Sequence, residues 1–344
     1  MRRRGVLCLI GAIATIVGFG DVNAARSQEV AVSTNLANQL RYVQVGIKSG
    51  RVNATSSFPG RTFNLSTNAN DRREQMTLDL TGPQPSLDYE LTTASFRIVV
   101  DLDHGNTLRI RRDPQGDAKT QPLEFYQPAD GPLTIKLGDK TNERTITADS
   151  LWHLFAAEPD LARNEIEPLL RLLKPAWPIG LQFQGIEELL YRKVDAERNY
   201  DRQAWTELVK QLSGEHYIDR LEADRRLRDL GKIVIPYLRN LDLRQLDAEQ
   251  AFRIRMIVRS YGSDDDEDTP DAAADWLAAD PEIWYSLAAR AVGPQRTKVR
   301  TQLALILGEP VVLDDDTTGE KLQMQLAKIR EQVSRGKRPV TSTK

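Results

Sequence analysis

Between Leu40 and Thr147 apolar and polar residues alternate. Val43, Val45 and Ile47 open the pattern. Met76, Leu78 and Leu80 repeat it, followed by Leu87, Tyr89 and Leu91, and by Phe96, Ile98, Val100 and Leu102. Leu108 with Ile110, Leu123 with Phe125, and Leu133, Ile135 and Leu137 complete the series. A period of two buries one face of each strand and wets the other, which suits antiparallel sheets. Between the runs stand Ser49-Gly50, Gly82-Pro83, His104-Gly105-Asn106, Asp113-Pro114-Gln115-Gly116 and Asp130-Gly131-Pro132. Gly and Asn accept positive φ and Pro presets a bend, so these are turns. Strands spaced this closely predict a small antiparallel sandwich or barrel-like module over 28–148. Its clearest hairpin is at Asp103-His104-Gly105-Asn106. The polar stretch 56–73 is either an edge strand around Phe63 and Leu65 or a long loop.

From Leu151 the apolar spacing becomes helical, and this pattern runs to Val333. Trp205, Leu208, Val209 and Leu212 form one stripe, with Asp201 placed to cap it. Asp247 and Gln250 have capping-box spacing ahead of Ala251, Ile254, Val258 and Tyr261. Thr269-Pro270 and Asp280-Pro281 each set a cap before a proline at the first helical position. Helices are expected over 151–173, 183–195, 270–292 and 295–307, with Gly293 and Gly308 as C-terminal stops. Leu322, Leu326, Ile329 and Val333 mark the last helix. Residues 335–344 read as a disordered basic tail.

The first residues change the picture. Met1-Arg2-Arg3-Arg4 is a basic head, Gly5 to Gly20 is apolar apart from Thr15, and Val22-Asn23-Ala24 supplies small residues at an exit. Residues 1–25 therefore read as a secretory signal peptide, with cleavage near Ala24 or Ala25. The apolar run is shorter than the roughly 20 residues that span a bilayer, so no membrane span is expected after cleavage. The chain is expected to be exported, to a bacterial periplasm or beyond. Cleavage removes the single Cys, and the loss of three Arg and Asp21 turns 47 basic and 49 acidic residues into 44 and 48. Asn53-Ala-Thr55 and Asn64-Leu-Ser66 match a glycosylation acceptor, which matters only in a eukaryotic secretory pathway.

Composition then narrows the chemistry. A chain that is 40% hydrophobic and 28% charged can build a core, which excludes wholesale disorder. Its near-balanced charge lacks the basic footprint of a nucleic-acid binder. One Cys and three His exclude zinc ribbons, iron–sulfur clusters and disulfide frameworks. His104, His153 and His216 share no helical turn. His104 reads as part of a polar hairpin turn beside Asp101 and Asp103, His153 as half-buried against the sheet, and His216 as surface. No Gly-x-Ser-x-Gly, Gly-x-Gly-x-x-Gly or phosphate-cradling loop occurs. Carboxylates paired only in space stay open as a hydrolase route. No cofactor is expected.

Two charged groups stand out. Asp264, Asp265, Asp266 and Asp268 crowd the run from Gly262. Closely spaced carboxylates attract a hard cation such as calcium, but the register of a calcium loop is absent, so a solvated linker is the stronger reading. Arg97, Arg109 and Arg111 gather on neighbouring strands as a basic patch for an acidic partner or anionic polymer. Asp101, Asp103 and Glu124 can neutralise it across strands. All five Trp lie in the helical part, where helical spacing favours core packing over a sugar platform.

Leu221-Glu-Ala-Asp-Arg-Arg-Leu-Arg-Asp-Leu-Gly231, then Ile233-Val-Ile-Pro-Tyr-Leu-Arg-Asn-Leu241, resembles a HEAT-type helical hairpin, and Phe252-Arg-Ile-Arg255 resembles the opening of a following repeat. The whole chain resembles exported bacterial proteins that join a β-rich front to HEAT-like helices. That resemblance implies a compartment and an architecture and supplies no catalytic residue. The expected fold class is α+β, with an irregular HEAT-like helical region over 150–333. The expected function is non-catalytic interaction or scaffolding in the cell envelope through a protein partner. The alternatives are a polysaccharide- or cell-wall-binding module and a hydrolase without a recognisable motif.

Overall fold

The alternating half of the chain becomes ten strands and the remainder becomes helices, so the protein is α+β. The structure is a computed structural model. It describes residues 36, 40–69, 72–116, 118, 120–139, 141–194, 201–239, 241–262 and 267–335. The expected leader 1–25, the tail beyond Arg335, and Asp264, Asp265 and Asp266 lie outside them. Among the described residues no helix is long and apolar enough to cross a membrane.

The strands are β1 (Val43–Lys48), β2 (Arg51–Ser56), β3 (Arg61–Ala69), β4 (Arg72–Leu80), β5 (Ser86–Thr92), β6 (Phe96–Asp103), β7 (Thr107–Pro114), β8 (Leu123–Gln127), β9 (Leu133–Leu137) and β10 (Arg144–Ala148). β1 and β2 form a two-stranded hairpin. The other eight form an antiparallel meander in the order β10-β9-β8-β7-β6-β5-β4-β3. The meander is not a closed barrel, because β3 and β10 are left as its edges. Stretch 56–73 thus contains an edge strand, and its exposed Arg61, Thr62 and Asn64 suit one. His104 and Gly105 both adopt positive φ in the β6–β7 turn, as the hairpin signal there predicts.

Register follows from the period of two. Met76 opposes Tyr89 and Leu78 opposes Leu87, while Val100 opposes Ile110 and Ile110 opposes Phe125. All of these are buried, and each fully buried aliphatic or aromatic side chain contributes about 1.5–3 kcal/mol relative to exposure. Arg112 points to the same inward face as Leu108 and Ile110. Its guanidinium meets Glu165 at 2.8 Å, which places the helical segment 159–170 over this face.

The helices are α1 (Leu151–Ala157), α2 (Ile179–Lys193), α3 (Arg202–Gln211), α4 (Tyr217–Asp229), α5 (Ile235–Arg239), α6 (Ala248–Gly262), α7 (Pro270–Leu277), α8 (Pro281–Ala288), α9 (Pro294–Leu307) and α10 (Gly319–Arg335). The caps are where the sequence puts them. Asp201 accepts from the Ala204 N–H, Thr269 from Ala272 and Asp280 from Glu282. Asp247 and Gln250 exchange backbone-to-side-chain bonds of 3.1 and 2.8 Å. Gly308 ends α9 in the left-handed conformation.

Four helical expectations change. The stretch 151–173 breaks at Pro159 and passes through a π turn at Ala162–Ile166, because a proline cannot donate to the preceding turn. Stretch 270–292 splits at Asp280, which caps α8. Gly293 opens α9 instead of closing α8. The second arm of the HEAT-like hairpin is a 3-10 turn, Gly231–Val234, running into the short α5.

One carboxylate ties the hairpin to the helices. Asp268 is buried and accepts the Ser49 N–H at 2.9 Å, the Gly50 N–H at 2.6 Å and the Trp152 indole N–H at 2.8 Å. Its own N–H donates to the Ile47 carbonyl at 2.6 Å. Gly50 then accepts from the Leu151 N–H at 2.8 Å. A Cβ on Gly50 would lie 2.6 Å from the Ser150 Cβ, at a φ of +71°, so only glycine fits this crossing. Asp268 was expected in a solvated linker. It is instead buried by the folding of distant segments onto it, which no local pattern reports.

Asp268→Ala strands two buried donors, the Gly50 N–H and the Trp152 indole, and the half-buried Ser49 N–H. We expect a loss of about 2–4 kcal/mol, read by urea unfolding, and a Trp fluorescence change from Trp152. A loss below about 0.5 kcal/mol, the range of an ordinary surface substitution, would contradict this role.

Candidate functional site

The seam between sheet and helices opens as a cleft of about 320 Å³. Arg51 at the start of β2, the β8–β9 turn at Ala129, Asp130, Gly131 and Pro132, and Asp149 after β10 form one wall. Leu238 and Arg239 of α5, Leu243, and Ile254, Arg255, Val258 and Arg259 of α6 form the other. The local reasons are simple. Arg51 follows the tight Gly50 turn, and Gln127 at the end of β8 clamps the next residue. It accepts from the Val52 N–H and donates to the Val52 carbonyl, each at 2.8 Å. On α6, positions 255 and 259 fall one turn apart and share a face.

Four guanidiniums and two carboxylates line this cleft. Arg259 pairs with Asp130 at 2.8 Å. Arg51 donates to the Gly131 carbonyl at 2.6 Å and also to the Pro128 carbonyl. Its partners are carbonyl oxygens, with no carboxylate among them. Burial first, and the nearby charge of Arg239 second, push the Arg51 guanidinium down to about 10, with Asp130 opposing. Arg239 is lowered by burial against the opposing pull of Asp280, Asp149 and Asp268. Its guanidinium lies over the Trp276 ring, 5.7 Å from the centroid. The lining of the cleft is thus cationic and in part apolar.

Behind Trp276 lies a buried polar chain. The His153 ring is 6.4 Å from the Trp276 ring. Its Nε2 lies 2.9 Å from Asp280 Oδ2 and its Nδ1 lies 2.8 Å from Ser150 Oγ. The trio resembles a nucleophilic triad in composition only. Ser150 is wholly buried, and its Oγ also accepts the His153 backbone N–H as the cap of α1. A triad presents Nε2 to the serine and Nδ1 to the acid, and here the two nitrogens are exchanged. Burial alone would lower the His153 pKa. The charge and hydrogen bond of Asp280, followed by Asp149 and Glu282, outweigh burial and hold it above its ordinary value. Ser150 is thus occupied as the cap of α1 and as the partner of His153 Nδ1, with no access to the cleft.

The basic patch expected on the strands is present as a neutralised face. Arg97 makes a paired contact with Glu90, the nearer oxygen at 2.8 Å. Arg111 lies 3.6 Å from Asp101, and Arg109 stacks over Tyr126 at 4.7 Å. His104 is exposed, 3.8 Å from Asp103, and His216 is exposed at the start of α4. Asp268 faces three N–H donors, the wrong polarity for a cation ligand. Among the described residues no group of three or more His, Cys, Asp or Glu side chains could hold a metal ion. All five Trp are buried.

Sequence reasoning missed Arg51, Arg239, Arg255 and the Ser150–His153–Asp280 chain. The separation of 127 residues between His153 and Asp280 leaves no local motif. The one available signal was the capping pattern at Ser150 and Asp280. Compared with protein-family models, with curated proteins and with solved structures, the chain matches none.

His153 sets a pH dependence of stability. Its folded pKa is raised above an unfolded value of about 6.5, so its contribution is complete below that pH and fades as pH rises through the folded value. Urea unfolding should show the wild-type protein losing stability on the alkaline side of this window. His153→Gln should be flatter there, and an identical pH profile for the two proteins would contradict the charged pairing.

Proposed function

We propose that the protein is a non-catalytic interaction protein of the bacterial cell envelope, delivered there by its leader, and that the arginine-lined cleft receives its partner. The observation that carries this reading is the pair Arg51 and Arg239. Two partly buried guanidiniums face one cleft, and among the described residues neither forms an ion pair. Keeping two like charges close in a partly desolvated site is unfavourable, and an anionic group from outside relieves it. Exposed apolar side chains nearby support a macromolecular partner. Phe252 and Met256 of α6 are 55% and 42% exposed, and Tyr217, Ile218 and Leu221 of α4 are exposed as well.

The hydrolase alternative finds less support. The cleft has only Asp130 and Asp149 as acids, and Asp130 is engaged by Arg259. Sugar binding has one supporting feature, an aromatic group on the β side. Tyr42 stacks on Phe63 at 5.4 Å and meets Phe58 edge-on at 5.9 Å, with Phe58 61% exposed.

The full chain coupled to beads and incubated with cross-linked envelope extract tests the proposal. The wild-type protein should retain a partner that the double variant Arg239→Gln/Arg255→Gln retains about tenfold less, the scale of losing charge-assisted contacts. Thermal melts of the two should coincide within a few degrees. Equal retention by the variant, or retention of cell-wall polysaccharide that Tyr42→Ala abolishes, would overturn it.

A further inference from the structure

We propose that the cleft captures the C-terminal carboxylate of a polypeptide partner whose last residue is apolar. This rests on the interaction reading above and gives its ligand a chemistry.

Charge sets the first requirement. With Arg259 and Asp130 paired, the lining of the cleft sets Arg51, Arg239 and Arg255 against the single remaining acid Asp149, while Asp280 and Asp268 act on Arg239 from outside the lining. The lining itself has a surplus of positive charge. A guanidinium fork matches the two oxygens of a carboxylate. Arg51 is held in place by the carbonyls of Pro128 and Gly131, and Arg239 by the face of Trp276. Their ordering costs little on binding because it is already made in the folded protein.

The apolar part of the lining sets the second requirement. Leu238, Leu243, Ile254 and Val258 line the cleft together with the guanidiniums. A bare phosphate satisfies the charge and leaves this surface wet. A carboxylate attached to an apolar body satisfies both. At about 320 Å³ the cleft is at the small end of ligand clefts, a size for a chain terminus and not for a folded element.

The third requirement separates a peptide from a fatty acid. Phe252, Arg255, Met256 and Arg259 share one face of α6 by their spacing, and the two arginines line the cleft. The apolar pair therefore continues the cleft along the helix as an open, exposed track. An extended chain ending in the cleft can lay its preceding side chains there, whereas an alkyl tail needs an enclosed channel. Capture of a terminal carboxylate is a recognised peptide-binding mode.

The test uses the full chain and isothermal titration with acetyl-Gly-Ala-Val-Leu as the free acid, its C-terminal amide, octanoate and inorganic phosphate. The free acid should bind, and the amide about tenfold or more weaker, the scale of losing a bidentate charged contact. Arg239→Gln should weaken the free acid to a similar degree. Arg255→Gln provides an independent reading if Arg239→Gln proves unstable, and Lys136→Gln on the wet face of the sheet should leave binding unchanged. Equal binding of acid and amide overturns the proposal, as does octanoate or phosphate binding as tightly as the peptide. If the peptides fail while arginine-dependent capture from envelope extract persists, the terminus assignment falls and the interaction reading stands. If the peptide binds through Arg239 while capture does not depend on the arginines, the interaction reading falls alone.

Discussion

The Asp268 carboxylate is the constraint on which the arrangement of sheet and helices depends. It collects two backbone donors from the Ser49–Gly50 turn and the indole N–H of Trp152. Burial raises its pKa against the lowering effect of those three donors, Trp152 first. A buried carboxylate is unfavourable unless its oxygens are fully engaged, so the three contacts must form together. Once they do, the β1–β2 hairpin, the start of α1 and the approach to α7 are locked at one point. Gly50 permits the crossing because its position has no room for a side chain.

The cleft is a consequence of that lock. Arg51 follows Gly50 directly, and Asp149 precedes the Ser150 cap of α1 by one residue. The hairpin cannot shift without moving the first, nor α1 without moving the second. Asp280 does for α8 what Ser150 does for α1, and His153 joins the two caps through its two ring nitrogens. The buried trio is thus a joint between helix ends. Its nearness to the cleft, through Trp276 and Arg239, explains how this joint and the cleft share Asp280 and Asp149 electrostatically.

The two faces of the large sheet divide the work differently. The inward face is apolar, and at Arg112 it uses an ion pair to Glu165 to meet the helical segment above it. The outward face contains charges of both signs in cross-strand contact, Arg97 with Glu90 and Arg111 with Asp101. Such exposed pairs contribute little stability, but they cancel the field a row of arginines would otherwise project. The cluster most visible in the linear chain is therefore largely neutralised, by Glu90 at Arg97 and Asp101 at Arg111, while the three cleft arginines Arg51, Arg239 and Arg255 come from separate segments.

Alternation with period two and the turn residues between the runs determined seven of the ten strands, their antiparallel sense and their burial, because side-chain direction along a strand is a local property. β2 and β10 have no comparable apolar run, and β3 was left between edge strand and loop. Caps at Asp201, Asp247, Thr269 and Asp280 determined helix starts for the same reason, since each bonds a donor within three residues. What only the tertiary structure decided was which distant residues meet. Asp268 with Gly50, His153 with Asp280, and Arg51 with Arg239 are each separated by more than a hundred residues. Their encounter depends on how the hairpin, the sheet and the helices pack, a matter of shape and buried polar pairing that no spacing along the chain encodes.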